Sequence, residues 1–203
     1  TVGRITPAEA RGRTVKSLMV GMGFQEMMFS YLGSYADFVA KMFPEEERDE
    51  ARRAIIKVSN PMSENYEYVR SSILPHLLGS ESVSGNAAYP HRMYEVGKIV
   101  LPDPQDSYGS KTLDALGFLI ADHEANYNGI HSQISTLLYY LGKSFEVAEV
   151  DDSRFLPGRV ATLLVDGAEV GIFGEIHPRV LDAWGIQMPC AAGELYLSRL
   201  TGA

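Results

Sequence analysis

Six stretches carry residue types that could do chemistry, and their spacing decides most of them. His123-Glu124 and His131 could belong to a zinc-protease helix, but that chemistry sets two histidines four apart on one face. These lie twice as far apart, so no metal site is expected. Gly21-Met22-Gly23 invites a dinucleotide-binding loop, yet a helical pattern rather than a strand precedes it and no third glycine follows in place. Arg92 and Glu95 sit three apart in an apolar, β-branched run. On a regular strand that spacing sends them to opposite faces, and only a bulge would return them to one site. Glu175 and His177, two apart, share a strand face and are expected to form a structural hydrogen-bonded pair. Arg70, in the loop between Asn60-Pro61 and Pro75, is expected to tie that loop down. Cys190 is the single cysteine, so it makes no disulfide within the chain and reads as a small apolar residue.

The elements that position these residues follow from local signals. Thr6-Pro7-Ala8-Glu9 is a capping box with proline at the first helical position, and Val15, Leu18, Met19 and Met22 then recur at helical spacing. Met27 to Leu32 reads as a strand. Ser34 caps a second helix through Tyr35, Phe38, Val39 and Met42, which the acidic run Pro44 to Glu50 ends or extends as a solvated face. A short strand is expected at Ile55 to Val58, a helix from Ile73 to Leu78, and long strands at His91 to Leu101 and Leu113 to Ala121. Ile130, Ile134, Leu137, Leu138 and Leu141 mark an amphipathic helix stopped by Gly142. Asp166-Gly167 joins Val160 to Val165 and Glu169 to Ile176 as a hairpin. Pro178 opens a short helix to Gly185, and Glu194 to Leu200 reads as an alternating closing strand. The pattern is α+β.

Bulk properties narrow the function classes. The chain has 203 residues, 45% of them hydrophobic, enough for one core, and is expected to be a single domain over 1–203. Its formal charge of −8 is the wrong sign for a surface that tracks phosphates on its own. No run approaches the ~20 apolar residues that span a bilayer, so no membrane partner is expected. The start, Thr-Val-Gly, lacks a methionine and reads as that of an excised or trimmed piece. A reducing cytoplasm suits the lone cysteine.

Several fragments together resemble one family. They are Gly21 to Glu26, Asn60-Pro61-Met62-Ser63, Val69 to Pro75, Tyr89 to Gly97, Pro157 to Ala161 and Gly171 to Pro178, with Val180-Leu181 and Trp184-Gly185-Ile186 behind. In order and separation this set resembles the core domain of the phenylalanyl-tRNA synthetase beta subunit, in wording nearer its archaeal and eukaryotic branch. The resemblance implies an antiparallel sheet flanked by helices, related to class II synthetase catalytic domains. It also implies three motifs. The first, a helix and strand at a subunit interface, corresponds to Gly23, Phe24, Glu26, Met27 and Phe29, with Ser30 where its proline is usual. The second pairs an Arg and a Glu one residue apart on a strand, and here Arg92 and Glu95 are three apart. The third runs from a glycine-rich strand to an Arg on a helix; here Glu175, His177 and Pro178 stand between the glycines and Arg179.

These departures argue against an adenylating site in this chain, and no catalytic residue is assigned. The expectation is a non-catalytic assembly domain that packs on the catalytic alpha subunit of a heterotetramer. ATP, Mg²⁺ and phenylalanine then belong to the alpha subunit, and phenylalanine tRNA to the whole complex. Assembly further predicts an exposed apolar patch near Phe24, Met27 and Phe29. The alternative is a stand-alone paralogue that activates an amino acid or serves as a regulatory binding module. It would bring Arg92 or Arg159 together with Glu95 or Glu175 in one pocket.

Overall fold

The computed structural model describes residues 3–200. Thr6 Oγ1 accepts from the Glu9 N–H at 3.2 Å and opens α1 (Pro7–Gly21), while the Glu9 carboxylate turns to Arg13. Val15 and Met19 bury the inner stripe of α1. The chain continues through β1 (Gln25–Glu26) and β2 (Leu32–Gly33). Between them the expected strand is missing: the Met27 N–H bonds to Tyr94 O and Tyr31 O accepts from the Arg70 N–H, so only the two ends of the segment are bonded to neighbouring backbone.

Ser34 does act as a cap, its Oγ accepting from the Asp37 N–H, but the expected helix is a five-residue π-helical turn, Ala36–Ala40. The acidic run begins as a short 3-10 turn and becomes α2 (Arg48–Arg53). Strands β3 (Ile56–Lys57) and β4 (Tyr68–Val69) join β2 in a small antiparallel sheet of order β2-β4-β3. Helix α3 (Leu74–Ser82) leads to β5 (His91–Pro102) and β6 (Ser110–Ala121), which pair antiparallel without a break in register.

The remainder is α4 (Tyr127–Tyr140), β7 (Glu146–Glu149), β8 (Phe155–Val165), β9 (Ala168–Ile176), α5 (Pro178–Trp184) and β10 (Cys190–Tyr196). The β8–β9 turn places Asp166 at φ 52° and Gly167 at φ 75°, the two left-handed residues of a tight hairpin. The closing strand starts four residues earlier than the alternation predicts. It is buried on both faces from Cys190 to Leu195, because β10 lies between β6 and β9 in the middle of the sheet, and Leu197–Arg199 already forms a 3-10 turn.

The main sheet has seven strands in the order β1-β5-β6-β10-β9-β8-β7. Every pair is antiparallel except β1 with β5. One face carries Tyr94, Leu116, Phe118 and Phe173 against α1 and α4. The other carries Met93, Ile99, Leu119 and Ala192 against α3 and α5. Both faces of the central strands are therefore inside the molecule. A smaller core of Phe38, Val39, Ala51, Ile55 and Tyr68 closes the lobe around the three-stranded sheet.

Candidate functional site

Two of the residues singled out by sequence, Arg70 and Glu95, meet on the α3 face of the sheet. Glu95 lies mid-strand on β5, and its carboxylate accepts twice from Arg70, from Nη1 at 2.7 Å and Nη2 at 2.9 Å. Arg70 Nε donates to Lys98 O at 2.8 Å, and its guanidinium stacks on Tyr31. Arg70 and Glu95 are 0% and 3% exposed, so the pair is buried and forked. The loop-tying role expected of Arg70 holds, with a partner 25 residues away that its neighbours in sequence could not reveal. Gly97 is required beside them, since a side chain there would collide with the guanidinium.

A second buried carboxylate, Glu194 of β10, accepts from the Ile73 N–H at 2.6 Å and from Ser72 Oγ at 2.8 Å. It satisfies the Ile73 N–H just before α3, while Ser72 Oγ accepts from the Leu74 N–H at 3.2 Å. Burial pushes the Glu194 pKa up, against the pull of its hydrogen bonds and of Arg154 and Arg70. Arg154 itself is clamped by both oxygens of Asp152, at 2.9 and 2.6 Å. Burial alone would raise the Asp152 pKa, and Arg154 reverses that and leaves it lowered. Across the sheet end, Glu81 accepts from Tyr89 Oη at 3.1 Å and meets His91 Nδ1 at 2.8 Å. Sequence spacing carries no sign of the Glu194 or Glu81 contacts, which join separate elements, whereas the Asp152–Arg154 clamp spans only two positions.

The other predicted residues do not converge. Arg92 pairs in register with Ile120 on unbulged β5, so it faces the α1 side while Glu95 faces α3; its Nε is buried without a partner among the described residues. Glu175 and His177 do not form the expected pair. The Glu175 carboxylate accepts from the Tyr127 N–H at 2.8 Å at the start of α4. His177 lies beyond the end of β9, where its Nδ1 accepts from the Arg179 N–H as the cap of α5. Arg179 Nη2 donates to Met42 O and Ser153 O, and Arg159 is exposed on β8. Neither Arg92 nor Arg159 meets Glu95 or Glu175. The arrangement that phosphate activation requires, cations preorganised around one pocket, is not what these residues build.

The α1–β1 edge holds the residues of the first motif. Gly23 closes α1 at φ 81°, and Phe24 turns inward, 4% exposed, with its ring edge-on to Phe118 at 6.0 Å. This corrects the expectation that Phe24 lines a patch: the residue after the left-handed Gly23 is directed into the core. Met27 and Phe29 are half-buried, Phe29 stacking on His76 at 5.4 Å. Glu26 is exposed and pairs with Lys16 at 2.6 Å. Apolar exposure at this edge falls instead on Val20 at 59% and Met28 at 92%. Strand β1 bonds to β5 on one side and has no strand on the other among the described residues.

Comparison with known proteins places this geometry. The fold is that of a class II aminoacyl-tRNA synthetase core: the solved pyrrolysyl-tRNA synthetase from Desulfitobacterium hafniense superposes with a TM-score of 0.77 at 16% identity, over 96% of this chain and 68% of that one. Within that class, residues 1–197 match the family of the phenylalanyl tRNA synthetase beta chain CLM domain, and the chain belongs to this family. Phenylalanine--tRNA ligase beta subunits of Borrelia recurrentis and Treponema pallidum are 44% and 46% identical to it over 98% of its length. The chain spans about a third of those relatives (34% and 32%).

Proposed function

We propose that the chain is a non-catalytic core module of a phenylalanyl-tRNA synthetase beta subunit, packing on the catalytic alpha subunit in a cytoplasmic heterotetramer. The observation that carries this reading is the fate of Glu95. The carboxylate nearest to the second class II motif is bound on both oxygens by Arg70, and Arg92 points through the opposite face of the sheet. The residues present do not fit ATP and Mg²⁺. Phenylalanine and ATP-Mg²⁺ then belong to the alpha subunit, and phenylalanine tRNA to the assembled complex. The contact with the alpha subunit falls on the α1–β1 edge: Gly23 and Glu26 at its surface, Met27 and Phe29 behind, and Val20 and Met28 as its exposed apolar residues. Among the described residues no helix is long and apolar enough to cross a membrane.

Pyrophosphate exchange across the amino acids, run on the purified chain alongside calorimetric titration with ATP-Mg²⁺, tests the non-catalytic half of this reading. Background exchange and no saturable heat are expected. Saturable ATP binding with amino-acid-dependent exchange would replace it with the stand-alone enzyme.

A further inference from the structure

A groove of about 790 Å³ lies between the α2 segment and the β7–β8 connection. Its apolar lining includes the half-buried Phe43 and the exposed Ala54 and Pro157. Arg179 builds its wall by bonding Met42 O from one segment and Ser153 O from the other at 2.9 Å each, and Ser153 Oγ also donates to Glu47. The two banks are thus fixed to each other by hydrogen bonds among side chains and backbone.

Its exposed rim is acidic, and the half-buried Arg179 adds one cation to the lining. Glu46 and Glu50 stand on one bank and Asp151 on the other, all exposed and none in an ion pair among the described residues. A groove with low-dielectric walls concentrates the field of such a rim and raises the local concentration of cations. The same sign repels nucleic acid. Its volume is in the range of sites that enclose a drug-sized ligand or a short peptide stretch.

We propose that this groove is a docking site for a basic protein segment in which Lys or Arg alternates with apolar residues. The cationic side chains meet Glu46, Glu50 and Asp151, and the apolar ones cover Phe43, Ala54 and Pro157. A polyamine satisfies the rim but leaves the apolar lining bare, and for that reason the occupant is a polypeptide. Complementary charge on the rim sets the rate of encounter and the choice of partner, and the apolar lining sets residence.

The test is fluorescence anisotropy of a labelled nine-residue peptide alternating Arg and Leu, titrated with the purified chain at 50 and 300 mM salt. The double variant Glu46→Gln/Glu50→Gln is compared with Glu146→Gln/Glu149→Gln on the exposed β7 edge, which changes net charge equally. Circular dichroism melts confirm that both variants fold. Saturable binding is expected, weakened at least tenfold in the groove variant and less than twofold in the β7 variant. An Arg-Gly peptide of equal charge is expected to bind at least fivefold more weakly. Equal losses in the two variants, or no saturable binding, overturn the proposal. So does competition by spermine at the Arg-Leu peptide's own affinity, which would make the groove a polyamine site. Self-association in sedimentation that the groove variant abolishes would overturn it too, by making the occupant a second copy of the chain.

Discussion

At the scale of single residues, the buried Arg70–Glu95 pair is the most consequential contact. Removing one partner strands the other's charge in the interior, whereas removing both does not. Glu95→Gln is expected to cost about 3–5 kcal/mol in urea unfolding, and the double change Arg70→Met/Glu95→Leu to recover most of that loss. His76 offers a second measurement. Burial, aided by the Arg70 charge, lowers its pKa to about 4 from an unfolded value of 6.5, against the pull of Asp37 and the Leu32 backbone. Its neutral form is therefore the folded form, and its contribution is complete above pH 6.5 and disappears as pH falls toward 4. Between pH 7 and 5 this one group should remove about 2 kcal/mol of stability. Denaturant midpoints of the parent and of His76→Phe at both pH values check it: the variant's loss on acidification should be smaller by that amount. An equal loss would place the acid sensitivity in another group.

At the scale of elements, legibility in the sequence depends on how local each signal is. The α1 cap, the Asp166-Gly167 hairpin, the Gly185 stop of α5 (φ 70°) and the unbulged β5 all lie where residue type and spacing place them, because each depends on neighbours within a few positions. Three expectations fail where a distant element decides. Met27 to Leu32 has strand composition, but past Met27 the chain leaves β5 and pairs with it no further. The closing strand begins early because Cys190 to Gly193, small residues without alternation, form the crowded centre of the sheet. Glu175 and His177 have a strand-face spacing, yet the strand ends at Ile176 and each side chain caps a different helix. Crowding at the sheet centre gives its own prediction. A methyl group on Gly171 would overlap the Glu194 backbone carbonyl of the neighbouring strand, which cannot rotate away. Gly171→Ala should therefore cost about 1–3 kcal/mol, seen as a lower urea midpoint, whereas Gly85→Ala, in open space, should be near neutral.

At the scale of the whole molecule, both faces of the sheet are packed, and its buried carboxylates are held by Arg70 at Glu95 and by the chain before α3 at Glu194. The fold is that of a synthetase core, while its polar residues serve to hold α3, α4 and α5 in place. Sequence spacing anticipates the separation of Arg92 from Glu95, but not Arg70 as the partner of Glu95, because only the folded chain brings residues 25 apart into contact. An assembly role then rests on the outer edge. Sedimentation of the chain mixed with a phenylalanyl-tRNA synthetase alpha subunit tests it most directly, with Val20→Asp/Met28→Asp as the edge variant. Both substitutions lie on exposed side chains and should leave the melting temperature within a few degrees of the parent. The account predicts a stoichiometric complex that the variant weakens at least tenfold. Independent sedimentation of two folded chains, or undiminished binding by the variant, would contradict it.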